Sequence, residues 1–96
     1  MKSYCVYILT NRKDGVLYIG VTSNLLQRIK EHKDKIVKGF AWKYNTVKLV
    51  YYECTDTAYG AISREKILKK WNRAWKVRLI EKENKDWDDL YDKLQM

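Results

Sequence analysis

The chain predicts an α+β fold, a small three-stranded antiparallel sheet flanked by helices in the order ββαβαα(α). Three observations predict it. Two runs rich in β-branched and aromatic residues flank an Asp-Gly turn near the N-terminus. A third such run lies at 47–53, and apolar residues at helical spacing fill most of the rest. Ninety-six residues allow one domain, 1–96, with a core over about 3–83 and a short acidic helix at 84–96.

Taken in order, residues 4–10 read as a strand. Asn11 to Gly15 is the turn, and 16–21 the second strand of a hairpin. A turn centred on Arg12-Lys13 places Leu9 opposite Val16, Tyr7 opposite Tyr18 and Cys5 opposite Gly20. Thr22, Ser23 and Asn24 are N-cap residues for a helix over 24–37, whose inward stripe is Leu25, Leu26, Ile29, Ile36 and Val37. Gly39 ends it. Phe40 to Thr46 is a basic, aromatic loop before the third strand. Thr55, Asp56 and Thr57 cap a helix over 57–71 with Ala58, Ala61, Ile62 and Leu68 inward. An interruption near Asn72 precedes a helix over 73–83, and Asp86 starts a last helix carrying Leu90 and Leu94.

Composition narrows the function. Apolar residues are 46% and charged residues 33%, as in a globular protein rather than a disordered one. No apolar run approaches the roughly 20 residues of a membrane span. Neither a membrane partner nor a signal peptide is expected. Cys5 and Cys54 lie 49 positions apart with no C-x-x-C and one histidine, so neither a zinc site nor a disulfide scaffold is expected. A reducing cytoplasm is the default. The net charge is +8, divided as +11 over residues 1–80 and −3 over residues 81–96. Such a balance suits a polyanion, whose counterions are released as phosphates are neutralised.

Five residues fit a plain core poorly. Tyr7 and Tyr18 share one sheet face, a pairing that also occurs simply to stabilise sheets. Arg28 and His32 are i and i+4 on one helix, at the edge of its inward stripe. Arg offers a planar fork for phosphate and His titrates near neutrality. Glu65 falls in the middle of the second helix's inward stripe, with Lys69 the one same-helix partner near its margin. A buried carboxylate needs a pair or a metal. Arg28, a tyrosine hydroxyl or a hard divalent cation would each serve. Beyond these, residues 28–48 hold seven Lys/Arg, with Phe40, Trp42 and Tyr44 between them. Residues 64–78 hold seven more, with Trp71 and Trp75, for which a core position is the simpler reading. Cations interleaved with aromatics suit strand contact, Lys43 and Tyr44 among them.

The triplet Cys5-Val6-Tyr7, then Tyr18-Ile19-Gly20, then Arg28, His32 and Glu65, resembles the GIY-YIG endonuclease domain. The likeness covers nearly the whole chain. It is nearest to small stand-alone members related to the N-terminal nuclease domain of excinuclease C. Arg64-Glu65-Lys66 with Lys69-Lys70-Trp71, Gly39-Phe40 with Lys43-Tyr44, and Asn84 with Trp87 carry that finer similarity. Cys5 and Val6 replace the Gly and Ile of the first triplet, and Lys85 stands where a proline is usual. The resemblance implies a metal-dependent DNA endonuclease, cytoplasmic, acting in DNA repair or recombination, with no organic cofactor and little sequence specificity. In it Tyr7 takes or orients the proton of the attacking water, and Tyr18 positions the water or the phosphate. Arg28 clamps a non-bridging oxygen beside His32, and Glu65 holds one Mg²⁺ (or Mn²⁺). Lys43, Tyr44, Lys69, Lys70 and Asn84 support the site or the bound strand. The alternatives are a decayed nuclease and a non-catalytic module that stacks bases on its sheet tyrosines. A pure binder has no use for an inward Glu65.

Overall fold

A computed structural model of the chain describes residues 3–36 and 39–94, with the side chains of Phe40 and Ala41 left aside. The elements are β1 (Tyr4–Thr10), β2 (Leu17–Thr22), α1 (Leu25–Lys33), α2 (Phe40–Lys43), β3 (Lys48–Thr55), α3 (Ala58–Lys70), α4 (Arg73–Glu83) and α5 (Tyr91–Leu94). The sheet is antiparallel with strand order β2-β1-β3. This is the expected α+β layout.

The central strand is buried on both faces. Cys5 to Thr10 are all at most 4% exposed. Val6 and Ile8 join Ile19, Val50, Ala61, Leu68, Ile80 and Trp87 in one core. Cys5, Tyr7 and Leu9 join Leu25, Ile29 and Leu49 in the other. Strand alternation therefore sets α3 and α4 on one side of the sheet and α1 with α5 on the other. Side-chain caps start the long helices. Asn24 accepts from the Gln27 amide, Thr57 from the Gly60 amide and Asn72 from the Trp75 amide. Asn72 thus separates α3 from α4 as the sequence suggests.

Several local expectations are corrected. Tyr7 pairs with Gly20, Leu9 with Tyr18 and Cys5 with Thr22, two residues away from the expected register. The turn is longer, because the Asn11 side chain accepts from the Val16 amide and the Gly15 amide donates to the Arg12 carbonyl. Helix α1 stops at Lys33, with Lys35 at φ +58°. Leu26 and Ile36 are exposed rather than inward; Val37 lies outside the described residues. Gly39 consequently ends no helix. It precedes the single turn α2, inside what reads as a loop. On α3, Ala58 and Ile62 face solvent, and the inward stripe is Ala61, Glu65 and Leu68. The last helix spans only Tyr91–Leu94, because Trp87 takes φ +58° and turns the chain inward.

Cys5 and Cys54 form a disulfide with Cα atoms 4.0 Å apart, against the expectation of unbridged cysteines. Sequence separation was the wrong measure. Strands β1 and β3 are neighbours, and their register places these two residues opposite one another.

The acidic tail belts the edge of β3. Trp87 is fully buried in the α3–α4 core, while Leu90, Tyr91 and Leu94 pack against the α1 core. Between them Asn84 Nδ2 donates to the Val50 and Asp88 carbonyls at 3.0 and 2.8 Å. Asn84 Oδ1 accepts from the Asp88 amide at 2.9 Å. Asp89 accepts from the Leu49 amide and pairs with Lys33, and the Leu90 amide reaches the Leu49 carbonyl. Open strand groups that would template association are thereby closed. Replacing Asn84 by Ala strands buried polar groups and is expected to cost about 1–3 kcal/mol, read as a lower urea midpoint at unchanged m-value.

Candidate active site

Three rings meet beneath α1. Tyr7 and Tyr18 have centroids 6.3 Å apart, Tyr7 and His32 5.8 Å, and Tyr18 and His32 5.6 Å. The Tyr7 hydroxyl lies 3.1 Å from His32 Nε2. Gly20 makes this possible. A Cβ there would stand 2.4 Å from the Tyr7 hydroxyl oxygen and 2.5 Å from Cζ. Tyr7 is 1% exposed and has nowhere to withdraw. Thus the phenol lies across β2 in the space a side chain would fill. The two-residue shift in register leaves both tyrosines on one face but makes glycine, not tyrosine, the direct partner of Tyr7.

His32 is more central than its spacing suggests. With α1 ending at Lys33, the inward stripe reduces to Leu25, Ile29 and His32, at i, i+4 and i+7. Without Ile36 and Val37 the centre of the stripe moves onto His32, which is 3% exposed. Arg28 sits at the rim, its side chain 40% exposed and paired with Glu31 at 3.2 Å. It lines a polar hollow with Thr22, Ser23, Asn24, Gln27 and Glu31.

Burial dominates the electrostatics. It pushes the Tyr7 phenol well above its ordinary range, aided by Tyr18 and opposed by the Arg28 cation. Burial also lowers His32, with Arg28 adding to the drop and Glu31 opposing it. At neutral pH the pair is therefore a protonated phenol beside a neutral imidazole. His32 Nε2 can accept the Tyr7 proton in the tautomer that carries hydrogen on Nδ1.

Glu65 comes from the other side of the sheet. Its side chain is 16% exposed, lies between Ala61 and Leu68 on the inward face of α3, and pairs with Lys69 at 3.4 Å. Lys69 lines a hollow with Leu17, Tyr18, Ile19 and Lys76. That hollow wraps the edge of β2, so the Glu65–Lys69 pair approaches the ring cluster around the sheet rather than through it. Among the described residues no three of His, Cys, Asp and Glu gather as a metal cluster. A single carboxylate fits Mg²⁺ or Mn²⁺ all the same, because such ions at phosphates take one or two carboxylates and fill the rest with water and phosphate oxygens.

The remaining predicted residues are scattered. Lys43 and Tyr44 are exposed on and after α2, with the ammonium 5.5 Å from the ring centroid. Lys69 and Lys70 are exposed at the end of α3. Asn84 is 6% exposed and its amide is engaged by the tail, so it serves the strap over β3. Sequence reasoning missed Gly20 as the residue that seats Tyr7, and missed Lys76. It also set Trp75 in the core, whereas Trp75 is 48% exposed. The signal for that was present, since Arg78 and Lys82 share its helical stripe.

Comparison with known proteins gives the family. The family model of the GIY-YIG catalytic domain matches residues 3–78. A UPF0213 protein of Clostridium perfringens is 43% identical over 75 residues, 78% of this chain and 80% of its own. A UPF0213 protein of Bacillus licheniformis is 37% identical over 87 residues, 91% of this chain and 89% of its own. The solution structure of a UPF0213 protein from Bacillus halodurans superposes with a TM-score of 0.56 at 25% identity, covering 91% of this chain and 92% of that one. The match to a catalytic-domain model over most of the chain places it in a nuclease-type class. The chain belongs to the GIY-YIG family.

Two outcomes follow from this arrangement. His32 is lowered from the ordinary 6.5, so below that pH the unfolded chain takes up a proton that the folded chain refuses. Its contribution to stability is complete above pH 6.5 and is lost as the pH falls through that value toward the folded pKa. Chemical denaturation between about pH 8 and pH 5 should show a decline that is shallower in His32→Gln. Gly20→Ala forces Tyr7 aside, breaks its hydrogen bond with His32 and is expected to cost about 1–3 kcal/mol. A lower urea midpoint and a shifted His32 ring resonance check it.

Proposed function

We propose that the chain is a metal-dependent endonuclease that hydrolyses DNA phosphodiester bonds in repair or recombination, with little sequence specificity. The observation that carries the reading is the Tyr7–His32 hydrogen bond of 3.1 Å, buried and flanked by an arginine at the rim. A sheet that merely stacks bases would present its tyrosines to solvent, but Tyr7 is 1% exposed.

The phosphate would meet Arg28 in the polar hollow at the start of α1, where the guanidinium steadies a non-bridging oxygen. Forming phenolate at Tyr7 first is disfavoured, because burial raises that group. A relay avoids it. Tyr7 accepts the proton of the attacking water as its own proton passes to His32 Nε2, which burial keeps neutral and ready. Tyr18, packed against both rings, holds the water or the phosphate in line. Glu65 would hold the metal once Lys69 yields it. When bound there, such an ion would supply charge relief at the phosphoryl group and the leaving oxygen. Lys43, Tyr44, Lys69 and Lys70 supply backbone contact. DNA is the partner, and no organic cofactor enters.

Cleavage of labelled duplex and branched DNA with Mg²⁺, Mn²⁺ or EDTA is the test. Wild type should cut with either ion and stop in EDTA. Tyr7→Phe, His32→Ala and Glu65→Gln should each lose about a hundredfold or more in rate while still binding DNA. Binding without cutting under every metal would overturn the reading in favour of a binding module.

A further inference from the structure

Away from the three rings, one hollow is built from indoles and cations. Trp71, Trp75, Arg78, Leu79 and Lys82 line about 290 Å³ where α3 turns into α4. Trp75, Arg78, Leu79 and Lys82 stand at i, i+3, i+4 and i+7, so they form one helix stripe. The indoles of Trp71 and Trp75 meet edge to face at 88°, with centroids 5.9 Å apart. The Arg64 guanidinium lies 5.2 Å from the Trp71 centroid and is itself held by Glu53. Trp75 is thus braced yet 48% exposed. Among the described residues no carboxylate lines the hollow. Glu81, on a different face of α4, takes the Trp87 indole N–H at 2.7 Å.

We propose that this hollow holds an unpaired nucleotide of single-stranded DNA, its base stacked on Trp75 and the flanking phosphates on Arg78 and Lys82. The choice follows from the lining. An apolar peptide would leave two cations desolvated. A duplex hides the faces of its bases. An unpaired strand alone offers a bare aromatic face beside phosphates. The hollow is on the α3–α4 side of the sheet, and Tyr7 is on the α1 side. A strand held here lies on the side of the sheet that also carries Glu65, across from Tyr7, which suits a substrate with a single-stranded arm beside the bond that is cut. This deepens the nuclease reading and rests on it for the identity of the polyanion.

The test is fluorescence anisotropy with labelled oligothymidylate in EDTA, where no cutting intrudes, beside duplex cleavage in Mg²⁺. Trp75→Ala should weaken oligothymidylate binding about tenfold while Trp75→Phe stays close to wild type. Arg78→Gln with Lys82→Gln should flatten the salt slope by ~0.7 per cation removed. Equal melting temperatures for the two Trp75 variants separate stacking from folding. Oligothymidylate binding by Trp75→Ala equal to wild type overturns the proposal, even if wild type cuts duplex. So does a Trp75→Ala change confined to self-association in sedimentation. If wild type cuts nothing but Trp75→Ala still binds more weakly, the hollow stands and the nuclease reading falls.

Discussion

From Cys5 onward, strand β1 is almost closed to water. Every residue from Cys5 to Thr10 is buried, so both of its faces must be roofed and each polar side chain within it must find a partner inside. The roofs are α3 with α4 on one side and α1 with α5 on the other. Tyr7 is the residue for which this constraint bites hardest. Its ring is needed to fill the α1 core, and its hydroxyl then has to be met by an imidazole carried on α1. The position of His32 and the bare Cα at Gly20 both answer to that one buried phenol.

The same burial shapes the chemistry. A solvated tyrosine and histidine would differ by their ordinary pKa values and act independently. Here low polarity raises one and lowers the other, so the proton stays on the phenol and the imidazole is kept empty. Arg28 at the rim opposes the first shift and reinforces the second. Beside burial, the same cation helps keep His32 neutral. In the proposed reaction one arginine would thus serve phosphate binding and proton transfer together.

The two edge strands are treated differently. The edge of β3 is closed by the tail, through Asn84, Asp89 and Leu90 on the backbone of Leu49 and Val50. The edge of β2 is left with a hollow lined by Lys69 and Lys76, and Glu65 is reached from that side. Closing one edge prevents pairing between sheets. The other edge stays accessible beside two lysines. The acidic tail lies along the closed edge, while Lys69 and Lys76 line the open one.

Strand and helix positions were legible in the sequence, because period-two and helical patterns depend only on neighbours along the chain. Glu65 stood out as a carboxylate on an inward stripe, whereas Tyr7, Tyr18, Arg28 and His32 also fit ordinary positions and gained their weight from the family resemblance. Distances across the fold were not legible. The hairpin register shifted by two because Asn11 and Gly15 bond within the turn, and no local pattern weighs a longer loop against a tighter one. The disulfide arose because β3 lies beside β1, a fact of sheet order. His32 moved to the centre of its stripe because α1 ended early, and Trp75 lies on the stripe of α4 that carries Arg78 and Lys82, while Trp87 from the tail fills the core. Which apolar side chain fills a given volume is decided by competition among segments remote in sequence. Only the tertiary structure contains that competition.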